Sequence, residues 1–343
     1  MGFNLLPLVV KQHLTLNDLR GKMLAVDASN MLYQFLALIR MRDGIPFTDS
    51  QGHVTSHLLG LTSRATRLMA DYGIRQVFVF DGKPPELKSR TLGERRESRN
   101  EARKEWEEAV SRSDYATAWS KAVRMSRLTQ AMQDDAKKVL ELMGIPYVLA
   151  PQEGEAQAAY MARVGDVWAA NSRDYDSVLF GAPRLVRYVT IAGQKYLPSK
   201  SISRPLIPEL IDLETLLRSW QITREQLVDL AVLVGTDFNT GIRGIGPKTA
   251  LKLIKTHGCL ENLSSMIRTK LPESTERVRE IFLHPEVTDQ YNLQYSVTDE
   301  AGLIQFLCKE REFSRDKVDM VIERMRIFRN REKSKLSVWF NRG

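Results

Sequence analysis

Two short, strongly apolar segments of this chain each end in an aspartate. The segment MLAVD ends at Asp27, and the segment VFVFD ends at Asp81. Apolar runs of this length are typical of buried strands, where an unpaired charge would cost several kcal/mol. A strand-end aspartate can also cap the next helix, which residues 29–35 would allow for Asp27. Each carboxylate therefore requires a partner, either a helix N-terminus or a ligand.

Segments of strand character alternate with segments of helical periodicity. Strands are predicted over 22–28, 76–82, 145–150, 167–171 and 185–189, and helices that end at glycine over 57–73 and 154–165. Strands separated by helices form a mostly parallel sheet with helices on both faces, so the predicted fold class is α/β. Ligands of such sheets bind outside the carboxyl ends of the strands.

Five further acids lie in short segments elsewhere in the chain: Glu153, Glu155, Asp174, Asp176 and Asp237. The first four have ordinary explanations, because DxD motifs such as Asp174 and Asp176 are common in solvated loops and a helix dipole stabilises acids such as Glu153 and Glu155 in its first turn. Together with the strand-end aspartates, they would repel one another strongly unless cations were bound. Hard divalent ions take oxygen ligands, and two of them about 4 Å apart stabilise both the attacking and the leaving oxygen when a phosphodiester is hydrolysed. The acids therefore predict two Mg²⁺ ions, for which Mn²⁺ can substitute.

Residues 86–141 lack strand formers and are rich in Arg, Lys, Glu and Ala. We expect two or more exposed helices there, which is long for a connection within an α/β fold and is typical of an insertion. Basic side chains outnumber acidic ones within 88–104, a balance that attracts a polyanion. A solvated helix with i,i+4 ion pairs explains the same composition, and this alternative stays open.

The segment GIRGIGPKTALKLIK, residues 241–255, predicts a second binding element. Gly244 and Gly246 permit a tight turn, and the following proline suits the first position of a helix. The free N–H groups of the turn form an anion site, and Lys248 and Lys252 lie on one face of the helix. This pattern predicts a helix–hairpin–helix that grips a phosphate backbone without reading sequence. The alternative is an ordinary helix-capping turn with surface lysines.

Bulk properties exclude several other classes of protein. The formal charge is +8 and the pI is about 9.4, which favours a polyanionic partner. The histidines show no spacing typical of zinc or a Ser-His-Asp triad, and CxxC and GxxxxGK[ST] motifs are absent. Two cysteines, no signal peptide and no apolar run near ~20 residues favour an intracellular protein without a membrane segment. We expect it in the cytoplasm or nucleoid, or in the nucleus of a eukaryote.

The segments VFDGKPPELK, APQEGEAQAAY, RDYDSVLFG and GTDFNTGIRGIGPKTA together strongly resemble the flap endonuclease 1 family in its archaeal form. The resemblance implies a PIN-like nuclease core with a parallel sheet, a helical arch inserted after the second acid, and a helix–two-turn–helix DNA-binding domain. It also implies 5′-flap endonuclease and 5′–3′ exonuclease activity on branched DNA in replication, during Okazaki fragment maturation, and in repair. The seven acids would hold two Mg²⁺ ions, with Asp27, Asp81, Glu153 and Glu155 around one ion, Asp174, Asp176 and Asp237 around the other, and Glu155 between the two.

The resemblance assigns roles to further residues. Lys88 and Arg95 match the family's catalytic basic residues, which stabilise charge on the scissile phosphate. Tyr33 matches the aromatic on which a flipped nucleotide stacks, and Arg40 and Arg64 match arginines that contact the duplex. The glycine turn matches a site where a K⁺ ion bridges the backbone to a phosphate. Gln152 and Arg173 depart from the usual Ser and Gln or Glu beside the metal ligands.

The end of the chain, KSKLSVWF, resembles a sliding-clamp-binding motif through Leu336, Trp339 and Phe340. Lys333 replaces the usual glutamine, so clamp binding is expected to be retained through the apolar anchors but weakened. We expect a monomer with the clamp as its partner.

These observations predict five regions. They are the first part of the nuclease core (1–85), the arch (86–141), the second part of the core (142–208), a helical DNA-binding domain (209–330, with the hairpin at 241–255) and a flexible tail (331–343). The first alternative is a basic DNA-bending protein whose acids are structural. The second is another nuclease of the same fold, such as a mismatch-repair 5′-exonuclease, a bubble-cutting repair nuclease or a junction resolvase. The third alternative is a PIN-type ribonuclease, which the 235–255 segment disfavours because such an enzyme would lack it.

Overall fold

A seven-stranded mixed sheet lies at the centre of the fold. The computed structural model describes residues 5, 7–41, 44–190, 193–197 and 202–340, with side chains at all of these except 193–197, 202–205 and 333–340. The strands are β1 (Gln12–His13), β2 (Met23–Asp27), β3 (Arg75–Phe80), β4 (Tyr147–Leu149), β5 (Ala169–Asn171), β6 (Arg184–Arg187), β7 (Gly193–Leu197), β8 (Ile202–Leu206) and β9 (Glu209–Asp212). Their order in the sheet is β1, β9, β6, β5, β2, β3, β4, and β7 pairs with β8 in a separate hairpin.

The predicted parallel arrangement is confirmed for the inner part of the sheet. Strands β6, β5, β2, β3 and β4 run parallel, whereas β9 pairs antiparallel with β6 and β1 pairs antiparallel with β9. All residues of β2 are buried, as expected of a central strand that is covered on both faces. Its side chains alternate between two cores, with Met23 and Ala25 in one and Leu24 and Val26 in the other.

Helices cover both faces of the sheet. They are α1 (Ala28–Leu38), α2 (Ser56–Gly60), α3 (Thr66–Tyr72), α4 (Ser89–Ser111), α5 (Tyr115–Arg124), α6 (Gln130–Met143), α7 (Gly154–Val164), α8 (Asp176–Leu179), α9 (Leu213–Trp220), α10 (Arg224–Val234), α11 (Pro247–His257), α12 (Ser265–Arg268), α13 (Thr275–Leu283), α14 (Glu300–Leu303) and α15 (Arg315–Phe340). A π-helical turn, Leu61–Ala65, joins α2 to α3, and another, Ile304–Glu310, follows α14. The predicted helices end where expected, at Gly73 (φ 64°) and Gly165 (φ 90°). Among the described residues, no helix has the length and apolar character needed to cross a membrane.

The start of the predicted helical domain is corrected by the structure. Residues 209–212 form strand β9, because their side chains alternate between buried and partly buried and pair with β6. The helix begins only after Asp212, whose side chain accepts a 2.8 Å hydrogen bond from the Thr215 N–H. The end of the predicted second part of the core (142–208) contains strand β8, which pairs with β7.

The arch prediction covers helices with two different environments. Helices α4 and α5 pack on each other, and their buried apolar residues are all alanines: Ala102, Ala109, Ala118 and Ala122. Helix α6, which the predicted 86–141 range also includes, buries Val139, Leu140 and Met143 in the second core beside β3. Only α4 and α5 therefore project as an insertion.

The last helices pack on the nuclease core. Phe306, Val318, Met325 and Phe328 belong to the same buried cluster as the α1 and α3 side chains. Residues 299–330 therefore cover one face of the sheet, although the sequence placed them in the DNA-binding region. The backbone of α15 continues to Phe340, so residues 331–340 of the predicted flexible tail are helical.

Candidate active site

The strand-end aspartates lie at the same edge of the sheet. Asp27 is the last residue of β2, and it also caps α1, because its Oδ1 accepts a 2.9 Å hydrogen bond from the Asn30 N–H. Asp81 follows β3, and its Oδ1 accepts a 2.8 Å hydrogen bond from the Gly154 N–H. Asp27 thus caps a helix, as one interpretation of the sequence predicted, and also lies close to other acids, as the other predicted.

The other five acids reach the site from helix starts and loops. Glu153 is the N-cap residue of α7, and Glu155 lies in the first turn of that helix. Asp174 lies in the loop after β5, and Asp176 is the first residue of α8. Asp237 follows α10. Only Asp27 and Asp81, which the sequence placed at strand ends, directly end or follow a strand. Helix N-termini suit these positions because the dipole there is positive.

The seven side chains converge on one region. Asp27 experiences the charges of Asp81 and Asp174, and Glu155 experiences those of Asp27, Asp174 and Asp176. Glu153 likewise experiences the charges of Asp81 and Asp237. Exposure is only 7% for Asp27, 9% for Glu153, 7% for Asp176 and 6% for Asp237. Segments far apart in the chain thus bring their carboxylates to one site.

Burial and mutual repulsion shift the ionisation of these acids. Burial, followed by the charges of Asp81 and Asp174, raises the pKa of Asp27 to about 8. Burial and the neighbouring aspartates raise the pKa of Glu155 well above its ordinary value. Burial also raises the pKa of Glu153, although Lys88 opposes this effect. Burial and the charges of neighbouring acids thus both disfavour the ionised forms of Asp27, Glu155 and Glu153.

Two cations from the base of the inserted helices enter the cluster. The Nζ of Lys88 lies 2.6 Å from Glu153 Oε2, and Nη2 of Arg95 lies 2.6 Å from Asp237 Oδ2. Burial would lower the pKa of Lys88, but the carboxylates of Glu153 and Asp81 raise it above its usual value. Although burial opposes ionisation of Asp237, Arg95 and Lys88 keep its pKa below the ordinary value.

The donor chemistry of the cluster fits hard divalent ions. The predicted ligands are all carboxylate oxygens, which Mg²⁺ and Mn²⁺ prefer, and a bound cation would offset the mutual repulsion that contributes to the raised pKa values of Asp27 and Glu155. No three His, Cys, Asp or Glu side chains in the described part of the chain are grouped as a finished metal cage. Instead the carboxylates turn toward hydrogen-bond donors, which is expected of like charges that repel one another. The assignment of all seven acids as ligands stays a prediction.

The structure identifies polar residues at the site that the sequence analysis missed. Asn30 Nδ2 donates a 2.8 Å hydrogen bond to Asp174 Oδ2, and Ser172 Oγ donates to Asp27 Oδ2 at 3.3 Å. Thr91 Oγ1 donates a 2.7 Å hydrogen bond to the Asp237 carbonyl. The spacing of Asn30, three residues after Asp27, was a usable signal in the sequence. The contact of Thr91 had none, because it spans 146 residues.

The residues predicted to contact DNA have mixed environments. Tyr33 is 39% exposed on α1, as a stacking platform requires. Arg40 donates to the Gly44 carbonyl and to Ser126 Oγ, and burial lowers its pKa to about 10. Arg64 donates to the Thr190 carbonyl at 3.3 Å. Both arginines thus also tie separate segments of the chain together.

The glycine turn lies between α10 and α11. Gly244 has a φ of 89°, and Gly246 is the N-cap of α11, which has no side-chain cap. A Cβ at either glycine would meet no heavy atom within 4 Å, so a ligand can approach the backbone closely. Lys248 and Lys252 are exposed on the same helix. The side chains of the predicted clamp-binding residues, Leu336, Trp339 and Phe340, lie outside the described residues.

Two family models and several known proteins match this chain. Residues 3–102 match the family model described as the XPG N-terminal domain, and residues 144–237 match the XPG I-region. Fold and site therefore define an XPG-type nuclease. Flap endonuclease 1 of Pyrococcus furiosus is 46% identical over 100% of both chains. This chain belongs to the flap endonuclease 1 family.

Solved structures agree with this family. Flap endonuclease-1 from Methanococcus jannaschii has a TM-score of 0.76 and 38% identity, with 96% of this chain and 100% of that chain covered. The catalytic core of Rad2 in complex with DNA substrate has a TM-score of 0.68 and 25% identity, with 92% of this chain and 96% of that chain covered. The similarity extends across the core, the insertion and the helical region.

Proposed function

We propose that this protein is a structure-specific endonuclease that hydrolyses DNA at a 5′-flap junction with two divalent metal ions. The observation that carries the proposal is the convergence of buried carboxylates with Lys88 and Arg95 at one edge of the sheet. Similarity to the flap endonuclease 1 of P. furiosus supports the substrate, and the DNA bound to Rad2 supports a DNA partner.

The chain's own residues define how a phosphodiester would be held. Divalent ions, when bound, supply Lewis-acid chemistry that activates water and neutralises the leaving oxygen. Lys88 and Arg95 donate to carboxylates in the absence of substrate, and they can turn their N–H groups to the scissile phosphate. Asn30, Ser172 and Ser177 orient the acids through hydrogen bonds.

The glycine turn positions the substrate. The N-terminus of α11, with exposed Lys248 and Lys252, holds the phosphates of uncleaved duplex. The backbone of the turn at Gly244 and Gly246 would hold a K⁺ ion, which would supply further positive charge for a phosphate. Because Arg95 of α4 lies beside Asp237, a single-stranded 5′ end would reach the site past the inserted helices. Selection then depends on DNA bending and on access of the free end, with little base readout.

The first experiment changes one predicted metal ligand. Asp176→Ala should abolish cleavage of a 5′-flap DNA in Mg²⁺ while leaving flap binding intact, because only charge at the site is lost. Asp71→Ala is the matched control, since Asp71 is an exposed carboxylate paired with Arg67 at 3.5 Å. Full activity of Asp176→Ala would refute the assignment.

Three comparisons separate the alternatives. Cleavage that requires Mg²⁺ and stops on chelation excludes a DNA-bending protein with structural acids. Parallel assays on flap, nick, bubble and four-way-junction DNA distinguish a flap endonuclease from other nucleases of the fold. A steep loss of affinity with salt is expected from counterion release, and a flat response would contradict a phosphate-binding surface. Sliding-clamp binding, the monomeric state and the intracellular location are further proposals.

A further inference from the structure

We propose that Arg187 is a positioning residue that fixes the loop carrying Asp174 and Asp176, and through that loop sets the affinity for divalent metal. This inference rests on the proposed function, because it takes both aspartates as metal ligands. Arg187 is only 4% exposed and does not reach the acids itself.

The sheet places Arg187 behind the loop. It is the last residue of β6, which runs parallel to β5, and the loop leaves the sheet at the end of β5. Asn171, the last residue of β5, is paired with Val186 and donates a 2.8 Å hydrogen bond to its carbonyl. Arg187 therefore lies beside the first residues of the loop that follows Asn171.

The guanidinium holds the loop at the residues on both sides of Asp174. Its Nε donates a 2.8 Å hydrogen bond to the Arg173 carbonyl, and its Nη1 donates to the Tyr175 hydroxyl. Its carbon also lies 4.0 Å from the centroid of the Tyr175 ring. Because Tyr175 directly precedes Asp176, these contacts fix the backbone of both acids.

Other groups fix the guanidinium in turn. Nη1 lies 3.1 Å from Glu209 Oε2, which pairs with Arg187 in the register of β6 and β9. Nη2 donates a 2.8 Å hydrogen bond to the Tyr188 hydroxyl, and Tyr188 has a left-handed backbone (φ 64°). Lys11 Nζ lies 2.5 Å from Glu209 Oε1, so Lys11 helps to hold the carboxylate that pairs with Arg187. A buried ion pair is often no more stabilising than apolar side chains, so stability alone does not account for its presence.

The experiment measures metal binding directly. Mn²⁺ binding to the full chain is followed by electron paramagnetic resonance, together with the Mg²⁺ concentration for half-maximal flap cleavage. Arg187→Lys keeps a positive charge opposite Glu209 but lacks the planar fork that reaches Arg173 and Tyr175. We expect Mn²⁺ affinity to fall about 10–100-fold, the usual cost of losing a residue that orients metal ligands. High Mn²⁺ should restore part of the cleavage rate.

The matched control is Arg184→Lys in the same strand. Arg184 also donates to a carbonyl, that of Trp168 at 3.0 Å, and stacks on the Trp168 ring, but at the opposite end of β6. Its substitution should leave Mn²⁺ affinity unchanged. The double variant Arg187→Gln with Glu209→Gln removes both charges and covers the case in which Arg187→Lys does not fold. It should show the same loss of affinity.

The outcomes are distinct. Folded Arg187 variants that bind Mn²⁺ as tightly as the original chain, even with a lower melting temperature, would overturn the positioning role and leave the proposed function intact. If the original chain binds no Mn²⁺ and cleaves no flap, the proposed function fails first. Loss of affinity in Arg184→Lys as well would show a general effect of the strand and would also overturn the inference.

Discussion

Asp27 combines demands that compete for one carboxylate. It ends a buried strand, caps α1 and lies among other acids, so its ionised form is unfavourable without a cation. Asp237 shows the opposite balance, because Arg95 and Lys88 favour its ionised form. Two aspartates of one cluster thus differ in protonation because their surroundings differ: Asp27 favours the protonated form and Asp237 the ionised form.

The raised pKa of Asp27 predicts how pH affects the metal-free protein. The pKa rises from 3.8 to about 8 on folding, so between these pH values the folded state retains a proton that the unfolded state releases. In a chelator, the free energy of unfolding should fall as pH rises from about 4 to about 8. Mg²⁺ should remove most of this fall, because the ion replaces the proton. Denaturant titrations at several pH values measure both effects.

A single substitution isolates the contribution of this residue. Asp27→Asn should stabilise the chelated protein at pH 8 by on the order of a few kcal/mol, because the amide carries no charge to repel its neighbours. It should abolish cleavage in Mg²⁺. Equal stability of the variant and the original chain at pH 8 in chelator would contradict the assigned pKa shift.

Helix α4 shows how one element serves both packing and chemistry. Thr91, Ala102 and Ala109 are its buried residues, and Arg95 lies between them on the same side of the helix. Its other positions are largely charged and exposed, and they include the i,i+4 ion pairs Arg90–Glu94 and Arg103–Glu107. One side of α4 thus carries Arg95 to the acids, whereas its exposed positions form the solvated, ion-paired surface that the alternative interpretation predicted.

This division predicts unequal effects of two arginine substitutions in α4. Arg95→Ala should lower the single-turnover cleavage rate about 10²–10³-fold, because one charged donor at the site is lost. Arg103→Ala should change the rate little, since Arg103 is exposed and paired only along the helix. Quench-flow assays on a 5′-flap DNA measure both. Equal losses would indicate a general electrostatic effect of the helix.

Helix α11 offers a comparison of glycines at its two ends. Gly246 has an ordinary φ of −90° and open space where a Cβ would lie, whereas Gly258 has a φ of 85°. Gly246→Ala should keep the stability and weaken duplex binding, because its methyl group occupies the space for a phosphate. Gly258→Ala should cost about 1 kcal/mol of stability and leave DNA affinity unchanged. Fluorescence anisotropy and thermal denaturation measure the two effects.

On the scale of the whole molecule, the chain returns to the nuclease core after forming the helical region. Helices α14 and α15 bury Leu303, Val318, Ile322, Met325 and Phe328 against the face formed by α1, α3 and α6. Each buried side chain of this kind is worth about 1.5–3 kcal/mol, so the sum is comparable to the whole stability of a domain. The C-terminal helices are therefore part of the nuclease fold.

Two truncations test this organisation. A chain that ends at residue 314 should be largely unfolded, because it exposes the face that α15 covers. A chain that ends at residue 332 should retain its melting temperature and flap cleavage but lose sliding-clamp binding. Circular dichroism and clamp pull-down assays check these outcomes. A well-folded chain ending at 314 would contradict the assigned packing, and full clamp binding without 333–343 would contradict the predicted motif.

The sequence by itself determined the parallel sheet, the glycine turn and the chemistry of the acids. These features depend on side-chain type and on periodicities of a few residues, which are visible at Asp27, Asp81 and Gly244. Tertiary structure alone decided that β9 is a strand, that α15 covers the core and that Arg187 lies behind the acidic loop. Such contacts join segments far apart, as Arg95 and Asp237 do across 142 residues. Local patterns carry no information about which distant segments meet, because that depends on how the whole chain closes around its two cores.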